Sequence, residues 1–213
     1  MSYAAGFSIL AWLNSSKLDI YQVPVLQYSR KNELERKADY MKLNTKKLVL
    51  TALFAALCCV ATMSIRIPTP GTGGYIHPGD AIVILSGIVL GPLYGFLAAG
   101  IGSCMSDLLG GYLTYVPVTL LIKGLVAMTS AFAYRKLSSA GKHPYAGVAA
   151  GGILDIILVA GGYFIFEYFL YGAGAVASIP ANLIQGISGL ILALILYPVL
   201  TAVPDVRRIL AAR

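Results

Sequence analysis

The sequence predicts an all-α membrane protein with six transmembrane helices, both termini cytoplasmic, and a long Pro/Gly-rich loop between the first two helices. Three observations carry this prediction. Of 213 residues, 58% are hydrophobic and only 12% are Asp, Glu, Lys or Arg, about half the roughly 25% charged content of a soluble domain. Mean hydropathy is +0.78. The apolar residues also gather into stretches close to the ~20 residues that an α-helix needs to cross a bilayer. So little charge excludes both a soluble domain and a disordered chain.

The first stretch covers about 47–65 and reads LVLTALFAALCCVATMSI. A polar loop over 66–79 follows, with Pro68, Pro70 and Pro78 set among Gly71, Gly73, Gly74 and Gly79. The next stretch, 80–109, is interrupted at Gly91-Pro92. Proline fits the first turn of a helix and disfavours helix in the residue before it, so this stretch is two helices, the first of them short. The fourth, fifth and sixth helices cover about 116–134, 145–171 and 179–203.

Basic residues give the orientation. Eight of the sixteen precede the first stretch, with Lys42, Lys46 and Lys47 beside it; Arg135, Lys136 and Lys142 lie between the fourth and fifth helices, and Arg207, Arg208 and Arg213 follow the sixth. With six crossings these three regions share one side, which is the cytoplasm. The net charge of +7 therefore reports orientation and calls for no nucleic-acid partner. Residues 2–12 are apolar but too short to span and lack the basic start of a secretory signal. Because Met41 opens a typical start before a membrane helix, 1–40 is expected to be a peripheral or disordered extension and 41–213 the six-helix domain.

Intramembrane ionisable groups are costly and usually face a bundle interior or a water-filled cavity. Here they are Asp107, Lys123, Asp155 and Glu167, with Asp80 opening a helix. At 1.5 Å per residue, Asp107, Lys123 and Glu167 fall in the outer half of the bundle, as do Asn182 and Gln185, three residues apart on one helix face. With Tyr75, His77, Tyr115 and Tyr163 they describe a polar, aromatic-lined cup opening outward. Snorkelling or an interhelical ion pair is the competing account for each charged residue alone. Asp80, after His77-Pro78-Gly79, reads first as a helix N-cap. Asp155, near mid-depth, reads as a structural partner for Lys123 or for a helix backbone, and Tyr168 and Tyr171 read equally as interfacial anchors.

Small residues form a second constellation: Ala52 and Ala56 on the first helix, then Gly87, Gly91 and Gly95, then Gly186 and Gly189. Such faces allow close helix approach, either inside the bundle or against another membrane subunit. Cys58, Cys59 and Cys104 lie in apolar runs and read as small packing residues. The sequence holds no GxxxxGK[ST] phosphate loop, no HExxH zinc motif and no intramembrane histidine to activate a serine, so an enzyme has little support and no cofactor is expected in this chain.

The order of these features is familiar. MKLNTKKLVLTALFAAL, the Pro/Gly-rich first loop, PGDAIVILSGIVLGPLYGFLAAGIGSCMSDLLGG, VPVTLLIKGLVA and IPANLIQGISG together resemble the substrate-binding S component of energy-coupling factor transporters, over nearly all of 41–203. The resemblance implies a multi-pass protein of the bacterial cytoplasmic membrane that captures a vitamin or vitamin precursor from outside. It implies a transmembrane coupling subunit and two cytoplasmic ATPases as partners, with ATP used by those subunits. It further implies that Ala52 and Ala56 face the coupling subunit and that the loop 66–79 gates the site. The ligand would then be held by this loop and by the outer parts of helices four to six, which points to Lys123, Glu167, Asn182 and Gln185. Amides, one ammonium and carboxylates among tyrosines suit a small heteroaromatic ring of the hydroxymethylpyrimidine or pyridoxine type. A self-sufficient proton- or ion-coupled carrier is the alternative, but inverted repeats are not visible between 46–110 and 115–203.

Overall fold

The computed structural model describes residues 45–69, 73–138 and 143–211; the expected extension 1–40 lies outside them. Helix α1 spans Thr45–Ser64. A short antiparallel ribbon follows, β1 (Ile67–Pro68) paired with β2 (Tyr75–Ile76) in the register Ile67 to Ile76 and Pro68 to Tyr75. Then come α2 (Asp80–Leu90), α3 (Pro92–Gly110), α4 (Val116–Leu137), α5 (Pro144–Tyr171), a 3-10 segment (Gly172–Ser178), α6 (Ile179–Ala202) and α7 (Pro204–Ala211). Helices α1 to α6 fall on the six anticipated stretches. The ribbon and α7 were not anticipated.

The helix ends follow local chemistry. Proline occupies the first turn of α3, α4, α5 and α6, where its missing N–H costs nothing. Between α2 and α3, Gly91 has φ 88°, a conformation that side chains disfavour. Its N–H caps the Gly87 carbonyl at 2.8 Å while its own carbonyl accepts from Gly95 N–H at 2.8 Å, so one residue ends one helix and starts the next.

Among the described residues, four helical stretches are long and apolar enough to cross a membrane: Thr45–Ser64, Pro92–Gly110, Val116–Leu137 and the 59-residue Pro144–Ala202, which contains α5, the 3-10 segment and α6. Helix α2 has 11 residues, about 16 Å of helix against a hydrocarbon core of about 30 Å. It lies at the centre of the bundle, touching α3, α4, α5, α6 and α7, with every residue except Ile82 buried. A Cβ on Gly87 would run into the Ala127 backbone of α4, and one on Gly95 into Gly87 itself. A Cβ on Gly186 would meet Ile156, and one on Gly189 would meet Asp80. The glycine faces are therefore packing surfaces within the bundle.

Helix α1 is different. Phe54 and Cys58 are buried, whereas Ala52 and Ala56 are exposed beside Leu48, Val49, Leu53, Leu57 and Val60. Helix α7 closes a second, smaller core in which Val206 packs with Phe54, Val89, Leu90 and Ala98.

Candidate functional site

At one end of the bundle the C-terminal turns of α3 and α5 meet the N-terminal turns of α4 and α6, with the β1–β2 ribbon beside them. A cavity of about 380 Å³, counting its open mouth, is lined there by Thr69, Gly74, Tyr75, His77, Asp107, Tyr115, Thr119, Tyr163, Glu167, Asn182 and Gln185. Eight residues singled out from the sequence thus share one wall: Tyr75, His77, Asp107, Tyr115, Tyr163, Glu167, Asn182 and Gln185. Thr69 and Gly74 belong to the 66–79 loop expected to gate the site, though neither is singled out as a contact, and Thr119 is missed, because a threonine in an apolar chain carries no distinguishing pattern.

Several of these side chains have defined partners. The Tyr75 hydroxyl donates to Asp107 Oδ1 at 2.7 Å. Arg66 stacks over the Tyr75 and Tyr112 rings at 5.0 and 5.8 Å and donates to the Ser106 carbonyl at 3.0 Å. Tyr115 donates to Glu167 Oε1 at 3.0 Å, and the Thr119 and Tyr163 hydroxyls pair at 2.9 Å. Burial pushes the Tyr75 phenol above its ordinary range. Burial, a hydrogen bond to Tyr171 and the adjacent Glu167 do the same to Tyr115. Both phenols therefore keep their protons and stay donors.

His77 is 8% exposed, and burial pushes its imidazole down to about 3. Its Nδ1 accepts the Gly79 N–H at 3.1 Å, which fixes the neutral tautomer with the proton on Nε2. One carboxylate oxygen on the cavity is left over: Glu167 Oε2 is buried and has no hydrogen-bond partner.

The structure corrects three readings. Lys123 does not line the cavity. It lies behind the Tyr163 ring, 5.6 Å from its centroid, and its ammonium meets Asp80 Oδ1 at 2.5 Å with both side chains fully buried. Asp80 is accordingly not a cap: Gly79 occupies the N-cap position and makes no side-chain cap bond, while Asp80 Oδ2 accepts from Gln185 Nε2 at 2.8 Å. An ammonium three helices from either terminus finds the nearest buried carboxylate, and that is on α2. Asp155 hydrogen-bonds neither Lys123 nor a backbone group, since both its oxygens are buried and unpartnered. Tyr168 and Tyr171 are 54% and 41% exposed, and Tyr171 also hydrogen-bonds Tyr115 of the cavity wall.

Comparison with known proteins places these features in a family context. The family model for the ECF-type riboflavin transporter S component matches residues 42–202. The chain is 36% identical over 134 residues to an uncharacterised protein of Pyrococcus woesei, covering 62% of this chain and 86% of that one. It is 29% identical over 163 residues to the thiamine precursor transporter HmpT of Lactococcus lactis subsp. cremoris, covering 74% of this chain and 89% of that protein. A solved S component of a bacterial ECF transporter superposes with a TM-score of 0.54 at 21% identity, over 75% of this chain and 97% of that chain. That likeness shows the fold.

Proposed function

Because this chain belongs to the ECF-type riboflavin transporter S component family, we propose that it is the substrate-capture subunit of an ATP-driven importer whose cargo is a single-ring vitamin precursor. It crosses the cytoplasmic membrane six times with both termini inside, and the cavity opens outward beside the β1–β2 ribbon. ATP is consumed by two cytoplasmic ATPase subunits through a transmembrane coupling subunit, which docks on the exposed Ala52 and Ala56 face of α1.

The buried, unpartnered Glu167 Oε2 carries the substrate reading. With Asp107 and Asn182 on the same wall it makes a site rich in acceptors. The buried Lys123 ammonium is taken up by Asp80. Such a site takes a ring bearing an amino or hydroxymethyl donor. Similarity to a thiamine precursor transporter supports the same choice.

Calorimetric titration of the purified chain against hydroxymethyl-aminopyrimidine, pyridoxine, thiamine and riboflavin tests this. Tightest binding by a one-ring compound is expected; tightest binding by riboflavin would sink the substrate assignment. Uptake by cells expressing the chain with and without its coupling module tests the subunit role, since uptake by the chain alone, abolished by a protonophore, would make it a self-sufficient carrier.

A further inference from the structure

The sequence reading treats Gln185 as a ligand contact, yet both ends of its amide are already occupied. Its Oε1 accepts the backbone N–H of His77 at 3.1 Å. Its Nε2 donates to Asp80 Oδ2 at 2.8 Å. Asp80 Oδ1 in turn holds the Lys123 ammonium at 2.5 Å. All of these groups are buried, Gln185 at 2% exposure and Asp80 and Lys123 at 0%.

The direction of the amide follows from its neighbours. A carboxylate only accepts and a backbone N–H only donates, so the nitrogen faces Asp80 and the oxygen faces the loop. The reversed amide would set Nε2 against an N–H and Oε1 against a carboxylate, losing both bonds and opposing like charges. The Asp80–Lys123 pair thus determines which atom of Gln185 the loop meets. Gly79 N–H then orients the His77 ring through Nδ1.

We infer that Gln185 is a positioning residue, a latch that holds the 73–79 segment by the His77 backbone amide in a direction dictated by the Asp80–Lys123 pair. This reaches beyond the capture role and depends on it only where ligand kinetics are read. Latching keeps His77 and Tyr75 in the cavity wall, so its loss speeds ligand escape more than it slows ligand entry.

The test uses the full chain in lipid nanodiscs and needs no ligand for its first readout. Deuterium exchange of the His77 amide in Gln185→Met, a substitution of similar volume, is expected to accelerate about tenfold or more with α3 and α4 unchanged. The Gln185→Glu variant adds a readout that a merely space-filling role would not move. Its protonated carboxyl reproduces the donor and acceptor of the amide, whereas its ionised form sets a second carboxylate beside Asp80. The titratable and charged groups around that position are Cys58 on α1, Asp80 on α2, Asp107 on α3, Lys123 on α4, Asp155, Tyr163 and Glu167 on α5, and Arg66 and His77 on the loop.

Corrected for intrinsic rates, His77 exchange in Gln185→Glu should match the parent at about pH 5 and approach Gln185→Met at about pH 8. Dissociation of radiolabelled hydroxymethyl-aminopyrimidine should follow the same order, with association changed less. Parent-like exchange in Gln185→Met, or pH-independent exchange in Gln185→Glu, overturns the latch. If the parent binds no ring compound, the cargo assignment falls and the exchange result still decides the latch.

Discussion

Under the capture role proposed above, Glu167 sets which ring the cavity prefers, while His77 makes the stability of its wall depend on pH. A hydrogen bond to a charged acceptor contributes roughly 1.5–3 kcal/mol. Glu167→Gln is therefore expected to weaken binding of an amino-substituted ring by about 10- to 100-fold, read by calorimetry, with the protein still folded because Oε2 has no internal partner to lose. The His77 ring titrates at 6.5 when unfolded and at about 3 in place. Between those values the unfolded chain takes up a proton that the folded chain refuses. Stability is thus full above about pH 6.5 and falls as the pH is lowered toward 3, by at most about 1.4 kcal/mol per pH unit. Thermal midpoints measured across this range should decline toward acid in the parent and decline less in His77→Gln. Most of the wall was legible because ionisable and amide residues are rare in apolar stretches and a rise of 1.5 Å per residue gives their depth. Thr119 was not, since a threonine in a membrane helix as often bonds its own backbone, as Thr129 does to the Leu125 carbonyl here.

Helix packing explains what spacing alone did not reveal. Lys123 and Asp80 stand 43 positions apart, and nothing local marks them as partners; only the burial of α2 among α3, α4, α5, α6 and α7 brings them together. Removing one member of a buried ion pair typically costs about 3–5 kcal/mol, whereas replacing both is often nearly neutral. Lys123→Met should accordingly lower the thermal midpoint sharply, and the double change Asp80→Asn with Lys123→Met should recover much of the loss. Equal midpoints for the single and double variants would contradict the pairing. The break between α2 and α3 was legible, because Gly91-Pro92 is an unambiguous local instruction. Helix α7 is not legible in the sequence: its arginines report only orientation, while its one core residue, Val206, is too little to announce a helix. The ribbon escaped for a similar reason, being two residues per strand with Pro68 in one of them.

At the scale of the whole molecule, the face of α1 carrying Ala52 and Ala56 lies opposite its buried residues Phe54 and Cys58 and away from the cavity walls. Under the proposed role, ligand binding and subunit docking are therefore separable. Ala52→Trp is expected to leave ligand affinity within about twofold while abolishing uptake in cells that also express the coupling module; normal uptake would rule out that face as the docking surface. The central position of α2 has a further consequence, for biogenesis. At 11 residues this helix is too short to insert into the bilayer on its own, and it begins with Asp80, a carboxylate whose exposure to lipid would cost a few kcal/mol. Its partner Lys123 emerges from the ribosome 43 residues later. Insertion of α2 must wait for α4 to be synthesised, so a nascent chain stopped between them should hold α2 outside the hydrocarbon and release it inward only when α4 arrives.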